Sequence, residues 1–450
     1  MSTTRTILIL EDNDERIAGF QKTVAELNGG FELKIWRDAH SMIAECAEFF
    51  PSAALICLDH DLNPQPGVTT DPGTGLDVTK FLCDFLPVCP VLIHSSNTDR
   101  VYSMHNELRF AHWMVDRVGP LGTDWIETTW LRRVRELIAE HGNTWRVKLP
   151  ANHSERVERM QLSLDGLGLG DALGEMLSYQ SANAPRRLAG NELPAGPWFH
   201  TDDTEMAISI VAVLKSHGEL NQDALARRFA RRFERDPDRG YGSMTRIQLR
   251  EINAGAKWRD TAANAFSGQG SMGNGGAMRV APLGAYFADD LVRCADAARN
   301  SALVTHTHPE GVAGTIAVAV AAAMAWQMRD VPQIDYAQKF FAEILRLTPE
   351  SKVRRGILLA SQTPIEIPLQ DIAKSLGNGS LVTAPDTVPF CIWMAAHHPR
   401  HFAEAIGKTI SGGGDCDTNA AIVGGIVALS AGRVSIPSEW LQAREKIQVL

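Results

Sequence analysis

The chain begins with short apolar runs separated by amphipathic stretches. Thr6–Leu10, Glu32–Trp36, Ala53–Leu58, Val88–His94 and Trp113–Val118 are rich in aliphatic and β-branched residues and read as strands. Between several of them, Glu15–Leu27, His40–Phe49 and Gly75–Leu86 repeat apolar residues at helical spacing. Strand–helix alternation requires right-handed crossovers, so residues 1–140 are expected to form a doubly wound, flavodoxin-like α/β domain with a parallel sheet. The site of such a domain lies at the carboxyl ends of its strands.

The pattern breaks at Glu140–Arg156, where His141-Gly142-Asn143 and Pro150-Ala151-Asn152 are turn formers, and residues 141–154 read as a linker. Beyond it the spacing turns helical, in Asp203–Lys215, Asp223–Arg235, Asp289–Ser301, Tyr336–Leu347, Pro385–His397 and Thr418–Ala431. Residues 155–450 are therefore expected to form an all-α domain. The longest apolar stretch, Gly311–Trp326, is Ala-rich and reads as a buried core helix, too short to cross a bilayer. The N-terminus lacks the basic start of a signal peptide.

Composition adds limits. With 44% apolar and 22% charged residues the chain is an ordinary globular one, and 44 basic against 53 acidic residues give a formal charge of −9. That sign argues against general nucleic-acid binding. Seven scattered cysteines with no CxxC pair argue against a disulfide framework or structural zinc and fit a reducing cytoplasm.

Two segments carry candidate chemistry. His200-Thr201-Asp202-Asp203-Thr204 and Gly412-Gly413-Gly414-Asp415-Cys416-Asp417-Thr418 each place two carboxylates and neighbouring threonines at a helix start. Either segment alone is explained by helix capping. Together they offer hard oxygen ligands suited to Mg²⁺, Mn²⁺ or Ca²⁺, and four carboxylates can hold two such ions if the helix starts meet. The loop Gly268-Gln269-Gly270-Ser271-Met272-Gly273-Asn274-Gly275-Gly276 can cradle phosphate oxygens or be only a flexible turn. In Thr305-His306-Thr307-His308 the histidines are expected to make cap or substrate contacts rather than bind metal.

Five motifs in order resemble the ADP-ribosylglycohydrolase family: Gly170-Asp171-Ala172-Leu173-Gly174, Thr201-Asp202-Asp203-Thr204, Gly273-Asn274-Gly275-Gly276-Ala277-Met278-Arg279, Thr305-His306 and Asp415-Cys416-Asp417-Thr418. The resemblance implies an all-helical fold with two Mg²⁺ or Mn²⁺ ions that removes ADP-ribose from a modified protein or other macromolecule; the short apolar stretch argues separately against a membrane partner. It implies Thr201, Asp202, Asp203, Asp415, Asp417 and Thr418 as metal ligands, and Ser271, Met272, Gly273, Asn274, Gly275 and His306 as ADP-ribose contacts. Asp202, Asp203 and Asp415 would also stabilise the oxocarbenium-like transition state of glycosidic cleavage. Many members of that family carry a glutamate four residues after the last glycine of the first motif, where this chain has Ser178. Glu175 then takes that catalytic role, or a metal-ligating carboxylate serves as base, or turnover is weak.

In the first domain Glu11 and Asp12 follow the first strand, Leu58-Asp59-His60-Asp61-Leu62 the third and His94-Ser95-Ser96-Asn97 the fourth. This resembles a response-regulator receiver, and more closely the cyclic-phosphate-processing receiver domains. It implies a site of Glu11, Asp12, Asp59, His60, Asp61, His94 and Ser95, whose histidines suit general acid–base work on a phosphoester. Arg117 stands where an ordinary receiver has lysine, and the Asn63–Thr74 loop is long, both against phospho-aspartate signalling. The leading expectation is an ADP-ribosyl hydrolase with a receiver-like regulatory or phosphate-processing domain. The alternatives are a non-hydrolytic ADP-ribose or NAD sensor controlled by that domain, and a signalling protein switched by phosphorylation of Asp59.

Overall fold

A computed structural model describes residues 5–27, 30–67, 69–85, 87–111, 113–141, 149–190 and 192–448. The turn formers Gly142 and Asn143 lie outside them, as does Leu86, the expected end of one helix. The chain divides into two compact units, Met1–Leu149 and Pro150–Leu450.

The first unit is a five-stranded parallel sheet of β1 (Arg5–Leu10), β2 (Phe31–Trp36), β3 (Ala53–Leu58), β4 (Val91–Ile93) and β5 (Val115–Arg117), in the order β2-β1-β3-β4-β5. Helices α1 (Asp14–Ala25), α2 (Ala39–Phe49), α3 (Gly75–Leu82), α4 (Thr98–Phe110) and α5 (Leu131–His141) complete it. The period-2 alternation of the strands sorts their side chains onto two cores. Leu8, Leu10, Ile56, Leu58, Val91 and Ile93 face one; Ile7, Ile9, Leu55, Cys57 and Leu92 face the other. Capping sets the helix starts: Asn13, Asp38 and Asn97 accept from backbone N–H groups, and Thr74 forms a capping box with Asp77. Two strands are shorter than expected. Val88, Cys89 and Trp113 are apolar for packing reasons but lie outside the ladder, and Pro90 cannot donate to it.

Among the described residues the second unit is helical, with isolated bridges rather than strands. The expected helices are present with shifted ends: Asp202–His217, Gln222–Arg235, Leu291–Leu303, Gln333–Leu347, Ala384–His397 and Cys416–Ala431. Asp290 caps its helix instead of lying in it. The axis of the unit is α6 (His153–Leu177) packed on Cys416–Ala431. Gly166, Gly170 and Gly174 share one face of α6, four residues apart. A Cβ at Gly170 would overlap the carbonyl group of Ala420, and one at Gly174 would sit 2.6 Å from the Cα of Asp417. Glycine therefore lets the two backbones touch, which brings the first motif against the last. The Ala-rich stretch proves longer than read from the sequence. It forms Pro309–Gln327, 19 residues, which by length and composition is enough to cross a bilayer, although 83% of its apolar window is buried in the unit. Its place as a core helix stands; the length argument does not.

Candidate active site

Asp171, on α6, organises the start of the Asp202–His217 helix. Its carboxylate accepts from Thr201 N (3.0 Å), Thr201 Oγ1 (2.9 Å), Thr204 N (3.1 Å) and Thr204 Oγ1 (2.5 Å). Thr201 in turn accepts from Asp203 N at 3.3 Å. Capping is thus carried by Asp171 and Thr201, which leaves Asp202 and Asp203 free for other work. The buried Oδ2 of Asp203 has no hydrogen-bond partner. The Cys416–Ala431 helix behaves alike: Asp415 occupies the cap position without a side-chain cap bond, and its Oδ2 accepts from Asn274 Nδ2 at 2.7 Å. Asn274 is fixed by a second bond to Thr387 Oγ1, 3.1 Å away.

These segments meet around a cavity of about 520 Å³. Asp202, Asp203, Asp415, Asp417 and Thr418 line it together with Ser271, Met272, Gly273, Asn274, Gly275 and His306. Thr201 is buried behind this wall. Glu175 is exposed and lies outside the lining, and Ser178 donates to the Glu175 carbonyl at 2.9 Å. His308 lines the cavity and caps Pro309–Gln327 by accepting from Glu310 N.

Electrostatics marks the cavity as short of positive charge. Burial, then the neighbouring aspartates, pushes Asp202 up to about 8, Asp415 up to about 7 and Asp203 well above the usual carboxylate range. A buried acidic set with an orphaned oxygen and flanking threonines is the donor set a hard divalent cation needs. Among the described residues, no three carboxylates of this set bring oxygens within 4.8 Å of one another, so the threonines would have to complete the ligands of any single ion.

The loop geometry is equally specific. Phe266, Ser267 and Val382 adopt positive φ (51°, 57° and 54°), and Phe266 and Val382 stand half-exposed on the cavity. A β-branched residue in that region is strained.

In the first unit the predicted residues also gather at strand ends. Glu11, Asp12 and Asp59 are, among the described residues, the one group whose ligand atoms all lie within 4.8 Å of one another. His94 Nε2 is 3.3 Å from Glu11 Oε2, both side chains being fully buried. His60 N donates to Asp59 Oδ1 (2.6 Å), and Asn97 links Ser95 to Asp61. Burial raises Asp59, reinforced by Glu11 and opposed by His94 and Arg16; burial lowers His60. For Glu11 the raising effect of burial is outweighed by His94, so it falls below the ordinary value. Arg117 is exposed and stacks on Tyr102 at 4.6 Å. The cation of the site is Arg16 on α1, with Nη1 3.0 Å from Asp59 Oδ2 and 3.5 Å from Glu11 Oε2.

Sequence reading passed over Arg16, which belongs to no motif, and gave Asp171 no role although it sits in a quoted one. It also missed Met244 and Thr245, in the first turn of the helix Ser243–Asn253, and Val382, from a loop that carries no pattern.

The fold and cavity define a helical unit with an acid-lined pocket, joined to a receiver-like one. The ADP-ribosylglycohydrolase family profile matches residues 152–450, and that of the cyclic-phosphate processing receiver domain matches residues 7–110. The chain belongs to the ADP-ribosylglycohydrolase family, and with it is a hydrolase acting on ADP-ribosyl linkages. ADP-ribosylhydrolase ARH3 of Xenopus tropicalis is 29% identical over 328 residues, covering 64% of this chain and 91% of that protein. Human ARH3 is 29% identical over 277 residues, covering 55% and 75%. A solved structure titled ADP-ribosylglycohydrolase-related protein complex shares 25% identity, covers 65% of this chain and 94% of that chain, and superposes with a TM-score of 0.47.

Proposed function

We propose that the second unit removes ADP-ribose from a modified macromolecule with two divalent cations, Mg²⁺ or Mn²⁺, and that the first unit processes or senses a phosphoester. The observation that supports the hydrolase reading is the cavity on which four motifs, far apart in sequence, converge. Its volume suits a nucleotide-sized ligand.

Asp202, Asp203, Asp415 and Asp417, with Thr201 and Thr418, would hold the cations. Bound there, the cations supply polarisation of ribose hydroxyls and activation of water. Ser271 to Gly275 and His306 fix the pyrophosphate and so orient the distal ribose. The cavity carboxylates stabilise positive charge developing at the anomeric carbon. Glu175 lies outside the cavity, so a lining carboxylate takes the proton of the attacking water.

The test is a panel of Arg-, Ser- and nucleic-acid-linked ADP-ribose substrates, with metal depletion and add-back. Release of ADP-ribose that needs added cation is expected. Asp202→Ala or Asp415→Ala should abolish it, whereas Glu175→Gln should keep activity within about 3-fold. No release on any linkage with cation bound would sink the reading. Ser178 and the exposed Glu175 favour one competitor, a non-hydrolytic ADP-ribose or NAD sensor. Tight ADP-ribose binding without turnover would select it.

For the first unit, the buried pairing of His94 with Glu11 supports phosphoester chemistry over simple aspartate phosphorylation. Asp59 is expected to accept no phosphate from a small phosphodonor.

A further inference from the structure

The glycine-rich loop is shaped around one ring. A Cβ at Gly275 would lie 2.9 Å from His306 Cε1 and 3.0 Å from Nε2, and one at Gly273 would lie 3.3 Å from Nε2. The Nε2 edge of this buried ring therefore faces the loop and its cavity. Nδ1 faces the other way, 2.7 Å from Thr305 Oγ1.

Thr305 is fully buried, and its hydroxyl oxygen accepts from Arg279 Nη2 at 2.8 Å. Arg279 is fully buried too. Its Nη2 also donates to Ser301 O (3.1 Å), and its guanidinium lies 4.5 Å from the Phe229 ring centre. A guanidinium only donates, so the Thr305 oxygen is the acceptor and its own proton needs a partner. Among the described residues, the one acceptor bonded to that hydroxyl is His306 Nδ1. With the roles reversed, the Thr305 proton would be buried and unpaired, a state native structures avoid.

We propose that Arg279 and Thr305 form a relay that locks His306 in its Nε2–H tautomer, a donor aimed at an acceptor-only oxygen of the bound ligand. This rests on the cavity being an ADP-ribose site, where the acceptor is a pyrophosphate oxygen. Arg279 and Thr305 are positioning residues that act through His306. Burial, and then the Arg279 charge, hold the His306 imidazole down to about 3, so the ring stays uncharged at neutral pH. A locked donor accepts a ligand with lone pairs at that point and rejects one that presents a hydrogen there.

The test uses the full chain with ¹⁵N-labelled histidine. The long-range ¹⁵N–¹H spectrum of His306, assigned with His306→Gln, should show a protonated Nε2 and a bare Nδ1. Thr305→Val should abolish that single-tautomer signature and weaken ADP-ribose binding about 10-fold by calorimetry, and Thr305→Ser should restore both. A wild-type spectrum with Nδ1–H or an imidazolium overturns the lock, even if Thr305→Val fails to fold. An unchanged signature with binding within about 2-fold in Thr305→Val overturns it as well. If the wild-type protein binds no ADP-ribose, the proposed ligand falls, while the spectrum still decides the tautomer.

Discussion

Asp171 spends both carboxylate oxygens on two backbone N–H groups and two hydroxyls of a neighbouring helix start. Asparagine there has the right volume but turns half of that surface into donors facing donors. Asp171→Asn is expected to cost about 2–4 kcal/mol of stability in cation-loaded protein. It should also lower kcat roughly 100-fold by displacing Asp202 and Asp203. Urea unfolding and steady-state kinetics read the two effects. His217 gives a pH prediction of its own. Burial, joined by Arg228 and Arg227, holds it down to about 4 against 6.5 when exposed. The unfolded chain therefore takes up the proton first, so this contribution is intact above pH 6.5 and shrinks as the pH falls towards 4. At pH 5 the loss is about 2 kcal/mol. His217→Gln should make the fall in urea midpoint between pH 7.5 and 5 correspondingly shallower. The aspartates and His306 of the site were legible residue by residue because their motifs keep a fixed local spacing. Arg16 belongs to no motif, and Arg279 closes one without a role assigned to it, since each acts through a partner distant in sequence: Asp59 for one, Thr305 for the other.

At the level of elements, apolar periodicity located the five strands and ten helices, their ends less well, and passed over others such as α4, α5, Ser243–Asn253, Lys352–Gln362 and Phe402–Ser411. Ends are decided by single hydrogen bonds such as that from Arg293 N to Asp290, which no period encodes. Periodicity is also silent on α6, whose buried side runs through glycines that carry no hydrophobic signal. There the interface is made of absent side chains. Gly170→Ala adds one methyl group against the Ala420 carbonyl and is expected to cost at least about 3 kcal/mol, or to prevent folding. Alanine at exposed Gly255, whose φ is +96° with open space around it, should cost only about 1 kcal/mol, all from backbone strain. Thermal melts of the two variants side by side make the comparison.

For the molecule as a whole, two grammars in one chain separated the units, and each has its own core. The formal charge of −9 has a local component, because acids of the cavity stand close enough to repel one another. Cation and ADP-ribose are expected to stabilise that region in particular. Hydrogen exchange should slow at residues 202–217, 268–280 and 415–431 when both are added, with no ADP-ribose-dependent change in β1 to β5. Slowing spread evenly over both units would contradict a ligand site confined to the cavity.

The backbone contact along α6 bears on how variation in this protein should be interpreted. A saturation scan scored by activity is expected to rank Gly166, Gly170 and Gly174 beside Asp202 and Asp415, the glycines because a Cβ would meet backbone atoms and the aspartates because they line the cavity. The causes differ, and so does the remedy. Loss at an aspartate leaves a full-length, abundant, inert protein, whereas loss at a glycine removes the protein from the cell. Measured abundance, set against measured activity, would separate the positions that perform the chemistry from those that only let two helices come close enough for it to happen.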